Sequence, residues 1–397
     1  MIPTADAPRP IPEADPPQAQ ARQVCGCDDR DQFILSVIVK RTYSLERGRG
    51  LAVAARQVPL VDDPAFAEAT GELLEDTDLY PFKLATDVVV KGHAYPAAGA
   101  RTAGPAGHVL VRVGPTERRI AVFGDRRCTL SSGRIVVSPQ THVEKVPLSF
   151  AFAYGGRDRP AEDKYGNPAV AWARPLCVDP EALEDASPYL YPRNYSGRGY
   201  LVEPTREAVD ALRLPNLEDP DDLLTADRLV AGSVDNWPAM PLPAVFGWVH
   251  PMWFPRVVLA GIPYAAPAFT GEAEETMRGW APAGLLKDDP AGLSSLRFAN
   301  GASFGLQVPY LRGGEPVVLD GVRPAGERLV FNLPTQRPEL FTDGRKGRLN
   351  PTAPVIHSVI IEPDERRLSI VWRGCAPALR PYLPDELARM PFRVTWP

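Results

Sequence analysis

The sequence has no paired-cysteine framework, no long apolar run and no block of like charge. Five cysteines in 397 residues, at 25, 27, 128, 177 and 375, are an odd set without scaffold spacing. That argues against a disulfide-stapled secreted domain and fits a reducing compartment. In Cys25-Gly26-Cys27 the thiols are separated by one residue instead of two, and no second Cys or His pair follows at ligand spacing, so no metal is expected. The N-terminus shows no basic patch ahead of an apolar core, and no uncharged run reaches the roughly 18 apolar residues of a spanning helix. The expectation is a cytoplasmic protein without membrane contact.

Charge and catalytic templates are equally sparse. The net charge is -5, and Lys and Arg are scattered along the chain, so no phosphate-tracking stripe is present and nucleic acid is not an expected partner. There is no Gly-x-Ser-x-Gly elbow, phosphate loop, dinucleotide fingerprint or His-Glu-x-x-His helix. The five histidines (93, 108, 142, 250, 357) are dispersed, as expected of surface or packed residues. No catalytic residue and no cofactor is expected.

What the sequence does contain is proline and β pattern. Its 45 prolines are about twice ordinary usage, which predicts short strands joined by stiff loops. With 44% hydrophobic and 23% charged residues the chain reads as globular with a substantial core. Residues 1–23 hold six prolines and almost no large apolar side chains, which predicts a disordered tail. A β domain is expected over 24–150, a loop-rich connecting region over 151–256, and a C-terminal β region over 257–397 packing with the first.

The periodicity is specific in places. FILSVIVKRTYSL from Phe33 reads as a strand, and in HVLVRVG and RRIAVFGD two period-two runs flank the hairpin turn GPTE, with Val109, Val111 and Val113 on one face. TDVVVKGHAY (86–95) and RIVVS (134–138) are expected to join that hairpin in one antiparallel sheet, because the connections are too short for crossover helices. Leu329, Phe331 and Leu333 share a face in RLVFNL. HSVIIEPDERRLSIVWRG predicts a hairpin with Leu368, Ile370 and Trp372 inward. Short helices are expected near TREAVDALRL and PDELARM. The fold class is therefore mainly β: antiparallel sandwich or barrel-like lobes with long ordered loops and few short helices.

Two further features bear on function. LEDPDDLL places Glu218, Asp219, Asp221 and Asp222 together, as a glycosidase would need if two carboxylates met in space, or as a cap or turn uses them. With the Trp and Tyr content this supports a rival reading, a carbohydrate-active enzyme or sugar-binding module. YGGRD (154–158) and SGRGY (196–200) read as tight turns in which Gly supplies positive φ.

Eight segments together resemble a family of type VI secretion proteins, a domain of unknown function encoded beside the VgrG spike and PAAR-tip effectors. They are VIVKRTYSL near the start, DLYPFKLATDVVVKGHAY (78–95), VGPTERRIAVFGDR (113–126), VPLSFAFAYGG (146–156), YPRNYSGRGY (191–200), LPNLEDP (214–220), FGWVHPMWFPR (246–256) and VIIEPDERRLSIVWRG. The resemblance covers roughly residues 33 to 375. It implies an adaptor or chaperone that binds a PAAR-domain or PAAR-like effector, with VgrG as a further partner. Asp87 falls in the family's Thr-Asp-Val motif, Asp125 and Arg126 in Gly-Asp-Arg, and Arg193, Asn194, Gly197 and Gly199 in Arg-Asn-x-x-Gly-x-Gly. These seven are the candidate partner-binding or loop-anchoring residues. Tyr195 stands where the family usually has Pro.

Overall fold

The computed structural model describes residues 20–46, 51–96, 104–165, 191, 193–232, 236, 239–251, 253, 256, 299–345 and 347–397. The chain is mainly β, with three short helices among the described residues: α1 (Arg159–Tyr165), α2 (Arg206–Ala211) and α3 (Pro384–Leu387).

The largest sheet is built on β2 (Phe33–Ser44) and β22 (Arg367–Pro377), which pair antiparallel along their whole length, from Ile34 opposite Pro377 to Ser44 opposite Arg367. On one flank lies β1 (Gln20–Cys27), and the short β3 (Ala52–Val53) also pairs with β2. Beyond β22 come β21 (Val355–Glu362), β6 (Thr86–Val90) and β16 (Gln307–Val308). The β21–β22 hairpin turns at 363–366, where Arg366 takes φ of 51°. Both of its faces are covered. Leu368, Ile370 and Trp372 are buried as their alternation predicts, yet Ser369 and Val371 are buried too. The reason is a second layer: Ile38 and Val371, on the face away from the main core, pack beneath Leu60 and Leu79.

The second sheet is ordered β15 (Leu217–Glu218), β9 (Thr116–Val122), β8 (Gly107–Val113), β17 (Pro316–Asp320) and β18 (Leu329–Asn332). The expected β8–β9 hairpin forms, with Val113 opposite Thr116, so that Gly114 and Pro115 alone make the turn and Thr116 and Glu117 are already in the strand. Leu329, Phe331 and Leu333 turn to the core while Val330, at 67% exposure, faces out. One apolar cluster takes Val37, Val39 and Trp372 from the first sheet and Val109, Val111 and Leu319 from the second, so the two pack on a shared core. Neither sheet closes into a barrel. The smaller sheets are β20 (Leu349–Thr352), β19 (Glu339–Asp343) and β23 (Arg393–Thr395), and the pairs β10 (Cys128–Ser131) with β11 (Arg134–Val137), β7 (His93–Ala94) with β12 (Val146–Pro147), β4 (Ala65–Phe66) with β5 (Leu73–Glu75), and β13 (Tyr154–Gly155) with β14 (Arg198–Gly199).

Three expectations are corrected. The strands of 86–95, 107–122 and 134–138 do not form one antiparallel sheet: β6 lies parallel to β21 in the first sheet, β8 and β9 build the second, and β11 pairs with β10 alone. A short connection limits direct pairing between sequence neighbours, but it leaves a strand free to pair with one from far along the chain. For the same reason 24–150 and 257–397 do not divide into separate sheets, because both large sheets interleave strands from the two regions. The disordered tail expected over 1–23 does not include Gln20 to Gln23, which are strand, paired with Lys40 to Val37. Residues 1–19, 166–190 and 257–298 of the proposed regions lie outside the described residues. Gly26 of the Cys-Gly-Cys segment lies under Pro81, whose Cγ would sit 2.6 Å from any Cβ added there, so that glycine serves strand packing.

Charge is buried where the 72–87 segment meets the first sheet. Asp78 pairs with Lys40 at 2.8 Å, Asp76 with Arg256 at 2.5 Å, and Asp87 with Lys83 at 2.8 Å, all with side chains no more than 3% exposed. No helix of the described residues is long and apolar enough to cross a membrane.

Candidate functional site

Three motif segments that are far apart in sequence converge on Asn216, which is 1% exposed. Its backbone N–H donates to the Phe152 carbonyl at 2.9 Å and its carbonyl accepts from Phe123 N–H at 2.7 Å. Its Nδ2 donates to the Phe123 carbonyl at 3.1 Å and to Asp125 Oδ1 at 3.0 Å, and its Oδ1 accepts from Arg198 Nη1 at 3.0 Å. One residue, through its backbone and its side chain, thereby ties together the Gly-Asp-Arg turn, the FAFAYGG segment and the SGRGY loop.

The last two interlock through glycine. β13 and β14 pair in parallel, Tyr154 beside Arg198 and Gly155 beside Gly199. Asn194 Nδ2 donates to the carbonyls of Phe150 at 2.8 Å and Tyr154 at 3.0 Å, and Gly156 N–H donates to the Asn194 carbonyl at 2.8 Å. Gly155 sits at φ of 146°, and a Cβ there would be 2.1 Å from the Asn194 oxygen; at Gly197 it would be 2.7 Å from the Ala153 oxygen. Only chains lacking Cβ approach this closely. Tyr154, Tyr191 and Tyr200 close the back of the loop with ring centroids 5.1 and 5.3 Å apart. Tyr195 is used as well: its hydroxyl bonds the His250 ring and its own ring meets Trp253 edge-on at 5.3 Å.

In front of this frame opens a cleft of about 670 Å³. Four arginines line it, at 126, 127, 198 and 213, together with Asp125, Gly197 and the hydroxyl residues Ser138 and Thr141. Two of the four arginines are committed. Arg126 stacks over Phe123 at 3.9 Å and donates to Glu218 and the Pro215 carbonyl. Arg198 stacks over Phe152 at 4.0 Å, with Nε on the Ala151 carbonyl at 2.8 Å. Burial pushes its guanidinium below the ordinary arginine range; Asp125 opposes that shift and Arg213 adds to it. Arg127 and Arg213 are the other two. They are exposed and lie opposite one another in an antiparallel bridge, and neither side chain has a partner among the described residues.

The seven candidate residues therefore separate. Asp125, Arg126 and Gly197 line the cleft. Arg193, Asn194 and Gly199 are buried in the loop frame, where Asn194 and Gly199 tie it to the FAFAYGG segment. Asp87 belongs elsewhere: fully buried on β6, it accepts from Lys83, from Asn300 Nδ2 at 3.1 Å, and from the N–H groups of Gly301 and Ala302 at 3.2 and 3.1 Å. Sequence reasoning missed Asn216, Arg127, Arg198 and Arg213. Asn216 and Arg198 lie inside the resembling segments, and Arg127 stands where the family often has an aromatic residue close by after Gly-Asp-Arg; Arg213 carries no signal beyond charge.

The acidic cluster is distributed among local contacts. Glu218 is buried, bound to Arg126 and to Leu224 N–H at 2.7 Å. Asp219 accepts from Asp221 N–H at 3.0 Å, Asp222 pairs with Arg228 at 2.5 Å, and Asp221 is exposed.

A family model described as "Uncharacterized protein conserved in bacteria (DUF2169)" matches residues 30–373, a span that includes the whole cleft and its frame. The chain belongs to this family. No curated protein and no solved structure matches it. The family match takes in all seven candidate residues, the Asn216 hub and the arginines of the cleft.

Proposed function

We propose that this member of the family is a non-catalytic cytoplasmic adaptor. It holds an effector carrying a PAAR or PAAR-like domain and helps load that effector onto the VgrG spike of a type VI secretion system. The observation that carries this reading is the convergence of three motif segments on Asn216 to build one open cleft, lined by two exposed arginines whose side chains have no partner among the described residues. Ordered loops on a β scaffold, carrying Arg and Tyr, concentrate recognition energy in few contacts.

The chemistry of the cleft favours recognition over reaction. Its carboxylates are held by donors, Asp125 by Asn216 and the adjoining Glu218 by Arg126 and an amide, so neither is poised beside a nucleophile as a general base. The test is co-expression with a PAAR-like effector, which should raise the effector's soluble yield and give a complex that survives two purification steps. An effector equally soluble alone, with no co-purification, counts against the adaptor reading.

A further inference from the structure

We infer that the cleft between the Gly-Asp-Arg turn and the SGRGY loop receives an acidic, extended segment of a partner protein, with its carboxylates on Arg127 and Arg213. The argument begins with a charge imbalance. Four guanidiniums line or back the cleft against the carboxylates of Asp125 and Glu218, on a chain whose overall net charge is -5. The excess positive charge is local and not a property of the whole surface.

The arrangement of that excess is unfavourable without an anion. Residues facing each other across an antiparallel bridge project to the same side, and like charges so placed repel. Arg127 faces Arg213 in this way, and Arg213 also acts on the half-buried Arg198 behind it. Guanidinium forks accept carboxylates in bidentate geometry, which converts the repulsion into binding. The neighbouring Arg126 is already paired with a carboxylate inside the fold, through Nη2 to Glu218. At about 670 Å³ the cleft lies in the size range of ligand sites, about 300–1,000 Å³. That is far more room than one carboxylate or phosphate fills, and it suits several consecutive residues.

Assigning the segment to the effector rests on the adaptor reading; the preference of the cleft for an acidic ligand does not. The probe is a fluorescein-labelled hexaglutamate peptide titrated into the full-length chain, with hexalysine as control. We expect saturable binding by hexaglutamate alone, weakening as salt rises through the screening range. Replacing both arginines (Arg127→Glu with Arg213→Glu) should weaken it more than about tenfold, equivalent to about 1.4 kcal/mol. The matched pair Arg30→Glu with Arg389→Glu should leave it within about twofold, since that pair changes net charge equally at exposed sites elsewhere.

Equal loss in both pairs, or complete displacement of the peptide by millimolar inorganic phosphate, overturns the inference in favour of net charge or a small-anion site. Arg127 and Arg213 are exposed and their side chains have no partner among the described residues, so the thermal unfolding midpoint of their variant should stay within about 2 °C of the parent. An effector that co-purifies with both parent and variant, while the peptide fails to bind, removes the cleft and leaves the adaptor standing. Peptide binding without effector binding does the reverse.

Discussion

Asn216 and Asp125 meet at 3.0 Å, amide to carboxylate, at the point where the Gly-Asp-Arg turn is stitched to the segment leading into β15. The other side of the same amide holds Arg198. Changing Asn216→Asp keeps the shape and removes the donor: Asp125 then faces a second carboxylate, and the Phe123 carbonyl loses its partner. Losing one buried and one part-buried hydrogen bond and adding a like-charge contact should cost about 2 kcal/mol or more at pH 7, read as a lower urea midpoint with unchanged slope. A loss below about 1 kcal/mol would mean that Asn216 does not hold the frame.

Lys83 and Asp87 form the most deeply buried ion pair among the described residues, with both side chains fully shielded. Removing one partner strands the other charge. Asp87→Ala should destabilise the fold by about 3–5 kcal/mol, because Lys83 and the N–H groups of Gly301 and Ala302 all lose their acceptor. Thermal unfolding of the purified variant reads this directly. An unfolding midpoint equal to the parent's would show that the pair is dispensable.

Gly155 and Gly133 both have positive φ but differ in space. A Cβ at Gly155 meets the Asn194 carbonyl, whereas nothing lies within 4 Å of one at Gly133. Gly133→Ala should therefore cost only the strain of φ, about 1 kcal/mol, while Gly155→Ala should cost more than about 2 kcal/mol and reduce effector binding as the loop is pushed off β13. Similar losses at the two positions would contradict the close-approach account.

The frame also predicts a dependence on pH. Burial, with Arg256 adding to it, pushes the His250 imidazole down to about 4, and burial among Lys83 and Arg373 pushes His357 well below the ordinary histidine value. In the folded state His250 stays neutral between pH 6.5 and about 4, while the unfolded chain takes up a proton there. The stability it contributes is thus full above pH 6.5 and is lost as pH falls through that window, by up to about 3 kcal/mol. Unfolding midpoints measured at pH 7.5 and pH 5 should differ, with a smaller difference in His250→Phe; equal pH dependence in parent and variant would rule out His250 as a source.

Much of the fold was legible in the sequence, and the illegible part has a physical cause. The β8–β9 and β21–β22 hairpins were read from alternation and turn residues because both signals are local. The parallel pairing of β6 with β21 was not, because it joins Val88 to Val359 and no short-range pattern encodes a partner that distant. The double-sided burial of β22 was hidden for the same reason, since its second cover comes from Leu60 and Leu79. At the site, motif resemblance pointed to Asp125, Arg126 and Gly197. It also gathered Arg193, Asn194 and Asp87, which are buried and do not line the cleft. Arg127 and Arg213 stand out only once the bridge that sets them face to face is known.

The most direct measurement is a calorimetric titration of the purified full-length chain with a purified PAAR-like effector in low salt. The adaptor account predicts a saturable one-to-one complex at micromolar affinity or tighter. No heat of binding at micromolar concentrations of both proteins, each shown to be folded, would contradict it.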